Sequence, residues 1–287
     1  MLCSRLSAET AELITRLDNT QAFGLEELRF RLGRRTELVI AGCSTWGGRE
    51  LDRNAMNELI SALSGYALYS CEGEMSQGYI SLPGGHRAGV CGKMTYMENG
   101  TLRMHDVTSV CLRIARHIPD CDQKIRHYYF NAENMYNLLF LGPPGCGKTT
   151  VLRSCALFLS SEAGRRVCVV DEREEFFGGL DISPRYRIDV LSGLGKAKAM
   201  NMLLRSMSPQ VIVVDEIGDP NDAQAVRDAA RCGVAVFASA HAASLEEACL
   251  RPTLNSLIRD GVFDRYVLLG RKGMQTAVLD RDGRAIE

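Results

Sequence analysis

"LLFLGPPGCGKTTVLRS", residues 138–154, decides the fold. Four apolar residues run into a loop holding Gly142, Gly145 and Gly147, then Lys148, Thr149 and Thr150 lead into a helical pattern. Gly142-Pro143-Pro144-Gly145-Cys146-Gly147-Lys148-Thr149 fits G-x-x-x-x-G-K-[ST] in full. Glycines let main-chain N–H groups turn inward around phosphate oxygens, an approach that side chains would block. A helix opening near Lys148 offers unpaired N–H groups and a positive dipole end to an anion. Lys148 is expected to reach the β- and γ-phosphates, and the Thr149 hydroxyl to ligate Mg²⁺. The stretch 142–150 is therefore expected to bind a nucleoside triphosphate. "GLGKAK" at 193–198 lacks the third glycine of a dinucleotide loop and reads as a loop entering a helix.

Outward from this stretch the chain keeps one rhythm. Strand candidates at 138–141, 167–170, 211–214 and 234–239 alternate with helical segments at 148–162, 196–207, 220–232 and 244–250. "LLFL", "VCVV", "VIVV" and "VAVFAS" are nearly pure apolar runs, as parallel strands covered on both faces require. "RYVLLG" and "QTAVLD" read as a closing hairpin with Lys272-Gly273 in its turn. The expectation is an α/β domain over 131–287 with a doubly wound parallel sheet.

Ligands of such sheets collect at the carboxyl ends of the strands. After "VIVV" stand Asp215 and Glu216, a Walker B pair. Asp215 would hold Mg²⁺ through water, and Glu216 would polarise the attacking water as general base. After "VCVV" stand Asp171 and Glu172, and after "VAVFASA" stands His241. Glu172 is assigned to orienting water or metal, with its exchange of roles with Glu216 left open. His241 is placed to sense the γ-phosphate from its strand tip.

Residues 1–130 read as a smaller α+β domain. "SAETAELITRL" has helical spacing behind Ser7, and "LDRNAMNELISALSG" has it between Asp52 and Gly65. "GYISLPGGHRAGVCGKMTYMENGTLRM" reads as a meander with turns at Pro83-Gly84-Gly85 and Asn99-Gly100. "VTSVCLRIAR" is a further strand. Arg29, Arg31, Arg34 and Arg35 cluster here; with only Phe30 among them, a solvated face or subunit contact is favoured over nucleic acid.

Composition sets the outer limits. The chain has 287 residues, 46% of them hydrophobic, and a formal net charge of -1, so it presents no global field for nucleic acid or anionic membrane. No apolar run approaches the roughly 18 residues of a membrane span, and the first residues lack a signal-peptide core. Eleven cysteines form no C-x-x-C pair and read as reduced core residues of a cytosolic protein. Cys146, beside Lys148 and a helix start, is expected to alkylate quickly and to be shielded by nucleotide.

P-loop enzymes often take an arginine from a neighbouring subunit. Arg113 and Arg116 in "LRIARHI" are the first candidates and Arg231 the next.

Several stretches, taken together, match a known family. They are "LRFRLGRRTEL" (28–38), "GYISLPGGHRAGVCGK" (78–93), "LRIARHI" (112–118), "LFLGPPGCGKTTVLR" (139–153), "VVDEREE" (169–175), "VIVVDEIG" (211–218) and "ASAHA" (238–242). In these the chain resembles the stage III sporulation protein AA family, relatives of the type II and type IV secretion ATPases. The resemblance implies a RecA-like P-loop ATPase domain behind the N-terminal domain, with ATP and Mg²⁺ as ligands. It implies a homo-oligomer, a hexameric ring, working in the mother-cell cytoplasm with membrane proteins of a channel between mother cell and forespore. It also places Glu172 in an Asp box and His241 in a His box. Two other readings stand beside this motor: a nucleotide-dependent binder of single-stranded nucleic acid, disfavoured because no such module follows residue 242, and an ATP-gated scaffold with little turnover.

Overall fold

The computed structural model describes residues 5–97, 100–115, 120–131, 134–177, 182–183, 185–270 and 275–286. Arg116 and the expected turn at Lys272-Gly273 lie outside the described residues, as does Asn99 of the other turn. The chain forms two compact units, residues 1–116 with 177–180 and residues 117–176 with 181–287.

The first unit is built on a six-stranded antiparallel sheet. Its strands are β1 (Leu25–Arg31), β2 (Thr36–Ile40), β3 (Cys43–Gly47), β4 (Tyr79–Leu82), β5 (His86–Tyr96) and β6 (Leu102–Arg113), in the order β3-β2-β1-β6-β5-β4. Helix Arg53–Leu63 starts at Asp52, whose carboxylate accepts the Ala55 N–H at 2.8 Å. Its buried Met56, Leu59, Ile60 and Leu63 recur at helical spacing and join one core with Leu28, Phe30, Ile80, Val90 and Leu112 of the sheet. Ser7 caps helix Ala8–Thr15, accepting from the Thr10 N–H at 3.2 Å. The basic cluster on β1 is partly neutralised in place: Arg29 pairs with Glu27 at 2.7 Å and Arg31 with Glu37 at 2.5 Å.

The second unit carries a seven-stranded sheet. Its strands are β7 (Leu138–Gly142), β8 (Val167–Asp171), β9 (Ile188–Ser192), β10 (Val211–Val214), β11 (Ala235–His241), β12 (Arg265–Leu269) and β13 (Gln275–Asp280). The order is β13-β12-β7-β11-β10-β8-β9, and every pair is parallel except the β12–β13 hairpin. Alternate residues serve opposite faces. Leu139, Leu141, Cys168, Val170, Ile212, Val214, Val236 and Ala238 pack with helices Lys196–Ser206, Pro220–Arg231 and Pro252–Arg259. Phe140, Val169, Val213 and Phe237 are also fully buried. Phe237 meets Tyr129 edge to face at 5.2 Å, on the side where helix Lys148–Ser161 crosses. With helices on both faces the sheet is doubly wound, and the second unit has an α/β fold.

The expectation of core cysteines holds for Cys146, Cys155 and Cys168, whereas Cys43, Cys91 and Cys232 are exposed. Cys155 and Cys168 are buried, and desolvation raises both thiols, Cys168 to about 11.

Candidate nucleotide-binding site

The site lies at one rim of the parallel sheet, because parallel strands bring their carboxyl ends together. β7 ends at Gly142, and the loop returns as helix Lys148–Ser161. Gly142 has no room for a side chain. A Cβ there would fall 2.6 Å from Cys146 Sγ and 2.7 Å from the Leu269 carbonyl. Gly147 opens the helix in the left-handed region (φ 102°), with no side chain capping the first turn. A loop so built leaves its helix start without a side-chain acceptor, which suits an anion from outside. Pro143, Pro144 and Gly145 are exposed at the loop tip, and Gly147, Thr149 and Thr150 are half-buried. Cys146 is buried against Gly142, contrary to the expectation of an accessible, quickly alkylated thiol. The space left by the missing Cβ at Gly142 is what takes its sulfur in.

Lys148 is 6% exposed. Its ammonium donates to the carbonyls of Gly142 at 2.9 Å and Pro143 at 3.0 Å, and to His241 Nδ1 at 2.9 Å. Burial lowers its pKa from the ordinary 10.5, opposed by the field of Cys146, Asp215 and Glu216. Because His241 Nδ1 accepts this bond, the ring proton belongs on Nε2, which lies 3.2 Å from Glu216 Oε1. Lys148, His241 and Glu216 thus form one continuous chain.

A second chain crosses it. Thr149 Oγ1 donates to Asp215 Oδ2, and Ser239 Oγ donates to Asp215 Oδ1. The same Ser239 oxygen accepts the Glu216 N–H at 3.0 Å. Parallel register explains this: Val214 is opposite Ala238, so Asp215 follows beside Ser239. Ser239 thereby fixes both acids and holds Glu216 at φ 51°, a left-handed conformation that costs a non-glycine residue about 1–2 kcal/mol.

The other expected residues have partners of their own. Asp171 is buried and accepts the N–H groups of Glu175 at 2.7 Å and Phe176 at 3.0 Å, which folds back the chain after β8. Glu172 turns to Lys196, 2.8 Å away at the start of helix Lys196–Ser206, in a groove shared with Lys198, Arg205 and Asp219. Arg113 is exposed on β6 of the first unit, 3.7 Å from Glu27, and Arg231 stands 4.0 Å from Asp228. Two contributors went unnamed in the sequence. Ser239 is one. Arg153 is the other: it is 4% exposed, and its guanidinium donates to the Glu175 carbonyl at 2.6 Å. Among the described residues no group of three or more His, Cys, Asp or Glu side chains is arranged to hold a metal by itself.

The family described as "Sporulation stage III, protein AA" matches residues 4–285. The stage III sporulation protein AA of Bacillus subtilis (strain 168) is 34% identical over 285 residues, 95% of this chain and 92% of that one. Among solved structures, the ATPase DotB of Yersinia pseudotuberculosis superposes with a TM-score of 0.62 at 16% identity, over 98% of this chain and 79% of DotB. The pilus retraction motor PilT, solved with bound ADP, gives 0.61 at 17% identity, over 92% and 77%. At such identities the likeness establishes the fold, that of the RecA-like secretion ATPases. The chain belongs to the stage III sporulation protein AA family.

Proposed function

We propose that this chain binds ATP at residues 142–150 and hydrolyses it, as the cytoplasmic ATPase of a secretion-like channel complex between mother cell and forespore. The observation that carries the reading is the buried Lys148 ammonium, joined through His241 to Glu216 at the rim of the glycine loop. A buried cation held by two carbonyls and an imidazole is poised to exchange weak neutral acceptors for phosphate oxygens. Backbone N–H groups of the loop and first helical turn would take the remaining oxygens.

Thr149 and Asp215 are already in contact and would hold Mg²⁺, Thr149 by its hydroxyl and Asp215 through water, oxygen groups that suit a small hard cation. When bound, Mg²⁺ supplies neutralisation of charge on the phosphates. Glu216, half-exposed at the rim, takes the proton of the attacking water. His241 Nε2, 3.2 Å from that carboxylate, orients it. When Lys148 leaves for phosphate, Nδ1 loses its donor, so occupancy of the loop is reported to Glu216 through one imidazole. Glu172, bound to Lys196, is proposed to orient water or metal only after that ion pair opens.

The ATPase domain of this proposal is 131–287, whose described residues other than 177 fall in the second unit together with 120–130. The likeness to DotB and PilT supports assembly as a homo-oligomeric ring, with Arg113 or Arg116 offered to a neighbour's nucleotide. No helix among the described residues is long and apolar enough to cross a membrane, so the proposed membrane contact runs through partner proteins.

Steady-state hydrolysis by Glu216→Gln is the test. The variant should bind ATP as the wild type does and turn it over roughly 10²–10⁴-fold more slowly, the usual worth of a general base. Normal turnover would remove Glu216 from the role. A wild type that binds ATP without hydrolysing it would leave the ATP-gated scaffold instead.

A further inference from the structure

A buried charge outside the proposed site bears on it from behind. Asp122 has no exposed surface. Its Oδ1 accepts from Ser154 Oγ at 2.5 Å and Arg126 Nη2 at 3.2 Å. Its Oδ2 accepts from Arg126 Nε at 3.0 Å and from the Tyr129 hydroxyl. A carboxylate removed from water is tolerated only when its oxygens are satisfied in this way.

The partners on helix Lys148–Ser161 and its cap have a regular spacing. Cys121 Sγ lies 3.6 Å from the Thr150 carbonyl, and Asp122 takes the Ser154 hydroxyl. The Arg126 guanidinium sits 4.2 Å over the Phe158 ring, with its Nη1 at 3.9 Å from Glu162. Residues 150, 154, 158 and 162 are each four apart and so share one helix face. The segment 121–126 therefore runs along the helix from the turn that carries Thr149 and Thr150 to its far end. The only buried polar contact between the segment's carboxylate and the helix, among the described residues, is Ser154.

We infer that Asp122, acting through Ser154, is a positioning residue for the phosphate loop, setting the depth and rotation of the helix whose first turn presents Lys148 and Thr149. Ser154 follows Lys148 by six residues, about 9 Å along a rigid helix. A slip at Ser154 is thus carried whole to the loop. By linkage, a ligand that needs the helix in this place must in turn tighten the segment that holds it there. The inference rests on the nucleotide site proposed above.

The test uses the full chain, ADP with Mg²⁺, and Ser154→Ala, which removes one hydroxyl and leaves the Arg126 and Tyr129 bonds to Asp122 in place. Titration should show ADP binding weakened roughly 5- to 30-fold, within the span of ordinary coupling between sites. Amide exchange over residues 120–130 should slow on adding ADP to the wild type, and that slowing should be lost in Ser154→Ala. A role in stability alone would lower the melting point and leave this ligand-induced protection unchanged. Equal ADP affinity in both proteins, or equal protection by ADP, overturns the inference and leaves the site standing. A wild type that binds no ADP overturns the site and the inference with it. Asp122→Asn, if it folds, should reproduce Ser154→Ala, and combining the two should add little further loss.

Discussion

Lys148 carries the argument at the scale of single residues, because its position and its chemistry pull against each other. Burial lowers the ammonium from 10.5, so between the lowered value and 10.5 the unfolded chain holds a proton that the folded chain has released. Stability contributed by this group therefore rises with pH across that window. Phosphate binding needs the cation and moves the other way. Affinity for ADP should begin to fall at a pH below 10.5; a flat profile up to that value would contradict the burial argument. The five residues joined in the two crossing chains other than Ser239 were all readable from the sequence, since a motif names Lys148 and Thr149 and apolar runs stop at Asp215, Glu216 and His241. Ser239 was not. Within "VAVFASA" a serine looks like a small core residue until register sets it beside Asp215. Arg153 was hidden for a related reason: nothing in the sequence of a helix tells which cation turns inward. Glu172 shows the converse, since a strand-end carboxylate was legible while its ion pair with Lys196, from a distant helix, was not.

At the scale of elements, legibility followed hydrophobic contrast. β7, β8, β10 and β11 are buried along nearly their whole length and announce themselves as apolar runs. β9 was missed because "IDVLS" lies at the sheet edge, half-exposed, with polar residues between its apolar ones. Helix Pro252–Arg259 was missed because its proline, which suits a first helical turn, reads equally well as a break. The sequence groups residues 120–130 with the first domain. Their place in the second unit comes from one buried carboxylate and its partners, which local sequence does not reveal. Caps were easier to foresee in kind than in detail. Asp219 accepts the Asn221 N–H at 2.8 Å and forms a reciprocal box with Asp222 at the start of helix Pro220–Arg231. Asp219→Ala should lower unfolding stability by about 1 kcal/mol, seen as a shifted denaturation midpoint with unchanged slope. No shift would mean that the helix start is held by packing alone.

For the whole molecule, topology decides what chemistry is available. The antiparallel sheet of the first unit scatters its strand ends, whereas six adjacent parallel strands of the second gather theirs on one rim. That gathering sets Gly142 beside His241 and Asp215 beside Ser239, although each pair is distant in sequence. The loop, the two acids and the imidazole are consequences of one sheet order, and the family likeness extends over both units. The central claim is that this rim grips a triphosphate through the loop and Lys148. A crystal structure of the full chain with Mg²⁺ and a non-hydrolysable ATP analogue tests it most directly. The account predicts phosphate oxygens against the amides of 145–149 and Lys148 Nζ moved from His241 Nδ1, now 2.9 Å away, onto the phosphates. An analogue bound elsewhere, with Lys148 still on His241, would contradict it.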